Sequence, residues 1–100
     1  MVVKTAVIEW LPAEQGGRRT GPPAGPQYAA PARFLAHSDM WLVADWDLVL
    51  EKIDYLGGTD KWLANVHFRV AEAPHQWLED GAKFELYEGK RCVAQGQIEN

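Results

Sequence analysis

The sequence predicts an all-β fold, a small antiparallel barrel or sandwich of about six strands. Three observations carry this. Residues 62–70 and 83–98 alternate in polarity with the period of two that a half-buried strand requires. Glu88-Gly89-Lys90 joins the two halves of the second stretch as a glycine turn, which makes it a β-hairpin. No stretch repeats the strand, helix, strand order from which parallel sheets are built.

The elements follow in chain order. Residues 2–11 are rich in β-branched side chains, with Ala6, Ile8 and Trp10 on one face and Thr5, Val7 and Glu9 on the other, which predicts the first strand. Five prolines and four glycines between 12 and 31 forbid a helix or a central strand there, so this segment is read as one long loop. Loops of that length in a small domain are usually functional or disordered, which makes it the first place to seek a site. Residues 28–35 form a short strand that Pro31 assigns to an edge or a bulge.

Residues 40–44 are a second apolar run, and 45–56 carry two patterns at once. Trp46, Val49, Leu50, Ile53 and Leu56 have helical spacing between an Asp45 cap and Gly57. The same segment reads as a half-exposed β ribbon through Asp47, Leu48, Leu50 and Glu51. Gly57-Gly58-Thr59-Asp60 is a turn by composition. Residues 62–70 set Trp62, Ala64, Val66, Phe68 and Val70 against Leu63, Asn65, His67 and Arg69, the clearest strand signal in the chain. Ala73-Pro74 ends it, and Trp77-Leu78 makes one helical turn or a tucked loop. In the hairpin, Phe84 and Leu86 oppose Lys83, Glu85 and Tyr87, while Ala94, Gly96 and Ile98 oppose Gln95 and Gln97, with Val93 on the polar side. Five tryptophans are enough to fill much of a small interior.

Composition bounds the function. One hundred residues make one domain, 1–100, with 47% apolar and 24% charged residues, an ordinary globular balance that argues against disorder along the whole chain. A net charge of −4 lacks the basic footprint of a free-standing nucleic-acid binder, although a local basic patch is compatible with it. A single cysteine, Cys92, permits no intrachain disulfide, and the early residues carry Lys4 and Glu9 instead of an unbroken apolar run. The expected location is the cytoplasm, with no membrane partner.

No catalytic set assembles in the sequence. His37, Ser38 and Asp39 are neighbours, and neighbours do not take up triad geometry, so a polar turn is expected. Cys92 would need a cation such as Arg91 or Lys90 to lower its thiol, and is read instead as a small buried residue. His37, His67 and His75 lack metal-ligand spacing, and no cofactor is implied. Glu79-Asp80 and Glu85 with Glu88 read as solvated charges. A pocket at a barrel mouth lined by Tyr28, Trp41, Trp46 and Trp62 would suit a small ligand instead.

Both ends of the chain carry a resemblance. Ala73-Pro74, the run from Asp80-Gly81-Ala82-Lys83-Phe84-Glu85-Leu86 to Tyr87-Glu88-Gly89, and Val93-Ala94-Gln95-Gly96 resemble the closing segment of the C-terminal β-barrel of elongation factor Tu and related translational GTPases. Leu11 followed by Glu14-Gln15-Gly16-Gly17-Arg18-Arg19-Thr20 is similar to that barrel's first loop, and Gly25-Pro26-Gln27-Tyr28 to the segment after it. The matching ends cover about half of the chain, in order.

The resemblance implies a closed six-stranded antiparallel barrel, with 45–56 as a strand. In the family this barrel has no catalytic role. It packs on the GTPase domain, meets the T arm of aminoacyl-tRNA and touches the exchange factor. By position, Gly16, Gly17 and Arg18 match the loop near the domain interface, and Glu88 and Gly89 match the turn that approaches the tRNA backbone. With the neighbouring Arg19, Tyr28, Lys90 and Arg91 they form the expected binding set, for a protein partner or, by the resemblance, tRNA. Arg18 either meets such a ligand or ties its own loop through backbone carbonyls. The departures are Lys90 in place of a second turn glycine, a proline-rich loop without the family's aromatic pair, and the absence of any Gly-x-x-x-x-Gly-Lys-Ser/Thr loop, so GTP hydrolysis is not available to this chain. The expectation is a non-enzymatic binding module; a decoy or immunity-type mimic of the elongation-factor surface is the related alternative.

Overall fold

The computed structural model describes residues 2–40, 46–57 and 60–99, and within them six strands close into an antiparallel barrel. The strands are β1 (Lys4–Trp10), β2 (Gln27–Phe34), β3 (Trp46–Tyr55), β4 (Lys61–Phe68), β5 (Lys83–Glu88) and β6 (Arg91–Ile98). Around the barrel they run β1-β4-β3-β2-β5-β6, and β6 returns to β1 with Ala6 opposite Ile98 and Trp10 opposite Ala94. The two ends of the chain are therefore neighbours, and closure leaves no long edge open to pair with other chains. Three short 3-10 turns (Ala13–Gln15, Leu35–Met40, His75–Trp77) are the helical content of the described residues, and none is long enough to cross a membrane.

Alternation puts the core where the sequence pattern points. Ala6, Ile8 and Trp10 of β1 and Trp62, Ala64, Val66 and Phe68 of β4 are all buried. The interior holds two aromatic groups: Phe34 lies 5.2 Å from Phe84 and 5.6 Å from Phe68, and Trp10 lies 5.0 Å from Trp62 and 5.1 Å from Tyr28. Gly96 faces inward opposite Ile8 and Phe84. A Cβ there would fall 2.3 Å from the Phe84 ring, so the glycine makes room for that phenyl group.

Three readings of the sequence change, and the open choice at 45–56 falls to strand. The long loop ends before residue 31, because β2 starts at Gln27 and runs through Pro31. The β2 ladder to β5 begins only at Ala32, which leaves one flank of Pro31 unpaired, where a missing N–H is tolerated. Residues 46–55 are strand, with Leu48 and Leu50 fully buried and Ile53 about half exposed, so the helical stripe is not a buried face. A register shift between Lys52 and Asp54 breaks the alternation toward the end of the strand. Val93 does not lie on the polar side. Leu86 pairs with Ala94 and Tyr87 with Cys92, so Val93 is the extra residue of a bulge and is fully buried beside Ala94. β4 stops at Phe68 and Val70 is exposed. Leu78 is buried just after the turn at His75–Trp77. Trp41, the Asp45 cap, most of the 40–44 run and Gly58-Thr59 lie outside the described residues.

Candidate functional site

Two segments about 70 residues apart in sequence meet at one end of the barrel. After β1 the chain turns through Ala13–Gln15, and Gly16 takes a left-handed φ of 92° that redirects it toward β6. Leu11 N–H donates to the Val93 carbonyl, which docks the start of the loop on the hairpin. Gly17 N–H donates to the Pro12 carbonyl and closes the loop on itself. On the other side Glu88 ends β5, Gly89 turns with φ 63° and Arg91 opens β6 opposite Glu88. The non-glycine residues of a two-residue hairpin turn rarely reach positive φ, so Gly89 is what lets β5 and β6 close tightly.

A half-buried Glu88 carboxylate joins the segments. Tyr28, entering from β2, donates its hydroxyl to Glu88 Oε2 at 2.5 Å. Arg18 approaches the same oxygen through Nε at 3.4 Å, and its guanidinium lies over the Tyr28 ring, 5.4 Å from the centroid. The ring stands edge-on to buried Trp10, which fixes its position from below. Arg18 therefore ties its loop to side chains of the hairpin and β2, where backbone carbonyls were the sequence-based alternative. Of the nine expected site residues, Arg18, Tyr28 and Glu88 touch. Gly16, Gly17, Gly89 and the exposed Arg19, Lys90 and Arg91 flank them, and these three cations make no ion pair among the described residues.

Burial raises the Tyr28 phenol above its ordinary pKa, and the hydrogen bond to Glu88 and its negative charge raise it further against the opposing pull of Arg18. The native state thus holds this proton more tightly than the unfolded chain. Its contribution to stability is complete below about pH 10 and is lost as the pH rises through the raised value. In alkaline titration followed by tyrosinate absorbance, Tyr28 is expected to ionise late, and Tyr28→Phe to remove one late-titrating group. An unchanged late phase in that variant would show that Tyr28 is not held in this way.

Next to this site lies a second polar cluster that the sequence did not reveal. Glu85 Oε1 accepts from Tyr87 hydroxyl at 3.0 Å and from Arg33 Nη1 at 3.4 Å. The cluster needs β2 beside β5, a pairing between strands that are not consecutive, and no residue spacing announces it. Cys92 sits at its edge. Burial, helped by Glu85, raises its thiol, which works against the thiolate that a nucleophile requires. His37 stacks on Trp77 at 4.4 Å, while His67 and His75 ring nitrogens lie within hydrogen-bond distance of the Phe68 and Ala71 carbonyls. The side chains of Ser38 and Asp39 lie outside the described residues. No group of three His, Cys, Asp or Glu side chains gathers as metal ligands among the described residues.

The aromatic residues proposed for a mouth pocket do something else. Trp62 is fully buried against Trp10, Tyr28 packs on Trp10 from the side, and Trp46 leans on the core. A groove of about 420 Å³ lies instead on the outer face of β1, β6 and β5, bounded by Glu9, Lys83, Glu85, Gln95 and Gln97. Its lining mixes these polar side chains with Val7 and Leu35 and carries no aromatic ring. Compared with protein-family models and with curated proteins, the chain matches none.

Proposed function

We propose that this chain is a non-enzymatic binding module, similar to the C-terminal barrel of elongation factor Tu, that engages a protein or a translation component such as tRNA through residues 16–28 and 88–91. One observation supports it above the rest: Arg18, Tyr28 and Glu88 fuse the first long loop and the last hairpin into a single surface. A loop rich in proline and glycine held by three side chains of distant origin is a shaped contact surface. The packing of Trp10, Trp62 and Tyr28 on one another favours this reading over a small-ligand carrier, because the rings fill the mouth they would otherwise line.

Affinity capture with the whole chain as bait, from a lysate of the cells that make it, tests the reading. A stoichiometric protein or translation component is expected, and its recovery should fall when Arg18 and Arg91 are both replaced by glutamine. Recovery of neither, from a bait that remains folded, would overturn the proposal.

A further inference from the structure

We infer that the surface around Arg18 receives an acidic segment of a protein partner, and that Glu88 occupies Arg18 in the free molecule as an internal stand-in for the partner's carboxylate. The inference rests on the binding-module reading above and adds the chemistry of the partner.

The guanidinium of Arg18 is oriented but incompletely used. It lies over the Tyr28 ring and its Nε meets Glu88 at 3.4 Å, a long contact. Among the described residues nothing bonds its two terminal nitrogens. A guanidinium offers a carboxylate two parallel N–H groups, and here the fork is left for an incoming acid. An arginine held by an aromatic ring loses less rotamer freedom on binding than a free one, so the contact is preorganised.

Local charge has the opposite sign to the whole. The segments at 13–19 and 88–92 bring Arg18, Arg19, Lys90 and Arg91 together against Glu14 and Glu88, in a chain whose net charge is −4. Leu11 bonded to Val93 and Arg18 bonded to Glu88 place these segments side by side. An acidic segment is thus drawn to this end and repelled elsewhere, which orients it. The same balance disfavours a long nucleic acid, whose affinity grows with the number of phosphates neutralised and whose remaining phosphates would face an acidic surface. One face of Tyr28, the aromatic ring at the site, is already covered by Arg18 and is closed to a stacking base.

Glu88 makes the site self-limiting. A partner carboxylate must compete with it for Arg18, while Tyr28 keeps Glu88 in place through its hydroxyl. Replacing Glu88 by glutamine keeps a hydrogen-bond acceptor for Tyr28 and removes the competing charge.

Fluorescence anisotropy of the full chain at low salt, with a labelled hexaglutamate peptide and a short RNA duplex as separate probes, tests the inference. The peptide is expected to bind, Glu88→Gln to tighten it by about fivefold, Arg18→Gln to weaken it by about tenfold and Arg91→Gln by about threefold. Arg91 is exposed, so its variant reads the surface even if Arg18→Gln fails to fold. Peptide binding that Glu88→Gln leaves unchanged or weakens, no peptide binding to either form, or preference for the duplex would each overturn the inference. If affinity capture still recovers a partner in those cases, the binding-module reading stands and only the acidic chemistry falls.

Discussion

Trp62→Ala is expected to cost about 4 kcal/mol, measured as a fall in the urea midpoint with unchanged slope. The side chain is fully buried, lies opposite Ile8 in the β1 ladder and Tyr55 in the β3 ladder, and packs on Trp10 at 5.0 Å. Lys52 Nζ sits 5.3 Å above its ring, so truncation also removes the floor beneath that amine. Held between the β1 and β3 ladders and against Trp10, the site cannot collapse freely to fill the void, and the cavity cost adds to the lost transfer energy. A domain of this length has about 5–15 kcal/mol of stability, so the variant should be near its folding threshold. Trp62→Phe separates the causes. Among the described residues the indole N–H of Trp62 has no hydrogen-bond partner, and neither has that of Trp10. Loss of that donor should therefore be nearly free, and the phenyl replacement should cost only the difference in volume, about 1–2 kcal/mol. Equal losses in the two variants would mean that the ring is not held by packing.

How far the sequence spoke depends on the kind of information each feature needs. β4 was readable because Trp62, Ala64, Val66 and Phe68 alternate without interruption and all four are buried. β3 was not readable from spacing alone, because Trp46, Val49, Leu50, Ile53 and Leu56 fit a helical stripe as well as a half-exposed strand; the resemblance tipped the reading to strand. Val93 was placed on the wrong face because one inserted residue breaks the alternation, and a bulge leaves no mark in composition. Pro31 drew the predicted loop into the strand and assigned the strand to an edge or a bulge, because its tolerance depends on where the neighbouring ladder begins, which is a property of the partner. At the site, Arg18, Tyr28 and Glu88 could each be singled out, but their meeting required β2 to lie beside β5. Trp10, which supports Tyr28 from below, was readable as core and not as part of the site.

Gly17→Ala is expected to cost about 3 kcal/mol and to release Arg18 from Glu88, although the glycine takes no part in that ion pair. A Cβ at Gly17 would fall 1.9 Å from the Leu11 carbonyl oxygen and 2.9 Å from that of Pro12. These are backbone atoms, and they cannot swing aside as a side-chain tip can. Leu11 N–H is bonded to Val93 on β6, and Pro12 is stiffened by its own ring. The bond from Gly17 N–H to Pro12 draws the two segments together, so the strand-anchored side stays and the loop must leave. Arg18 is the next residue and leaves with it, which exposes the Tyr28 ring and strands the Glu88 carboxylate with one partner fewer. Gly16→Ala is the control. Its φ of 92° makes a side chain costly by about 1 kcal/mol, but the nearest atom to a Cβ there is 4.0 Å away, so the loop need not move. The two variants should therefore divide by mechanism: both lose stability, and only Gly17→Ala should also shift the late-titrating tyrosine, because Arg18 then supplies neither the cover that raises it nor the charge that lowers it. A Gly17→Ala protein as stable as Gly16→Ala, with its tyrosine titration intact, would show that the loop has slack at this point and that its hold on the hairpin is made elsewhere.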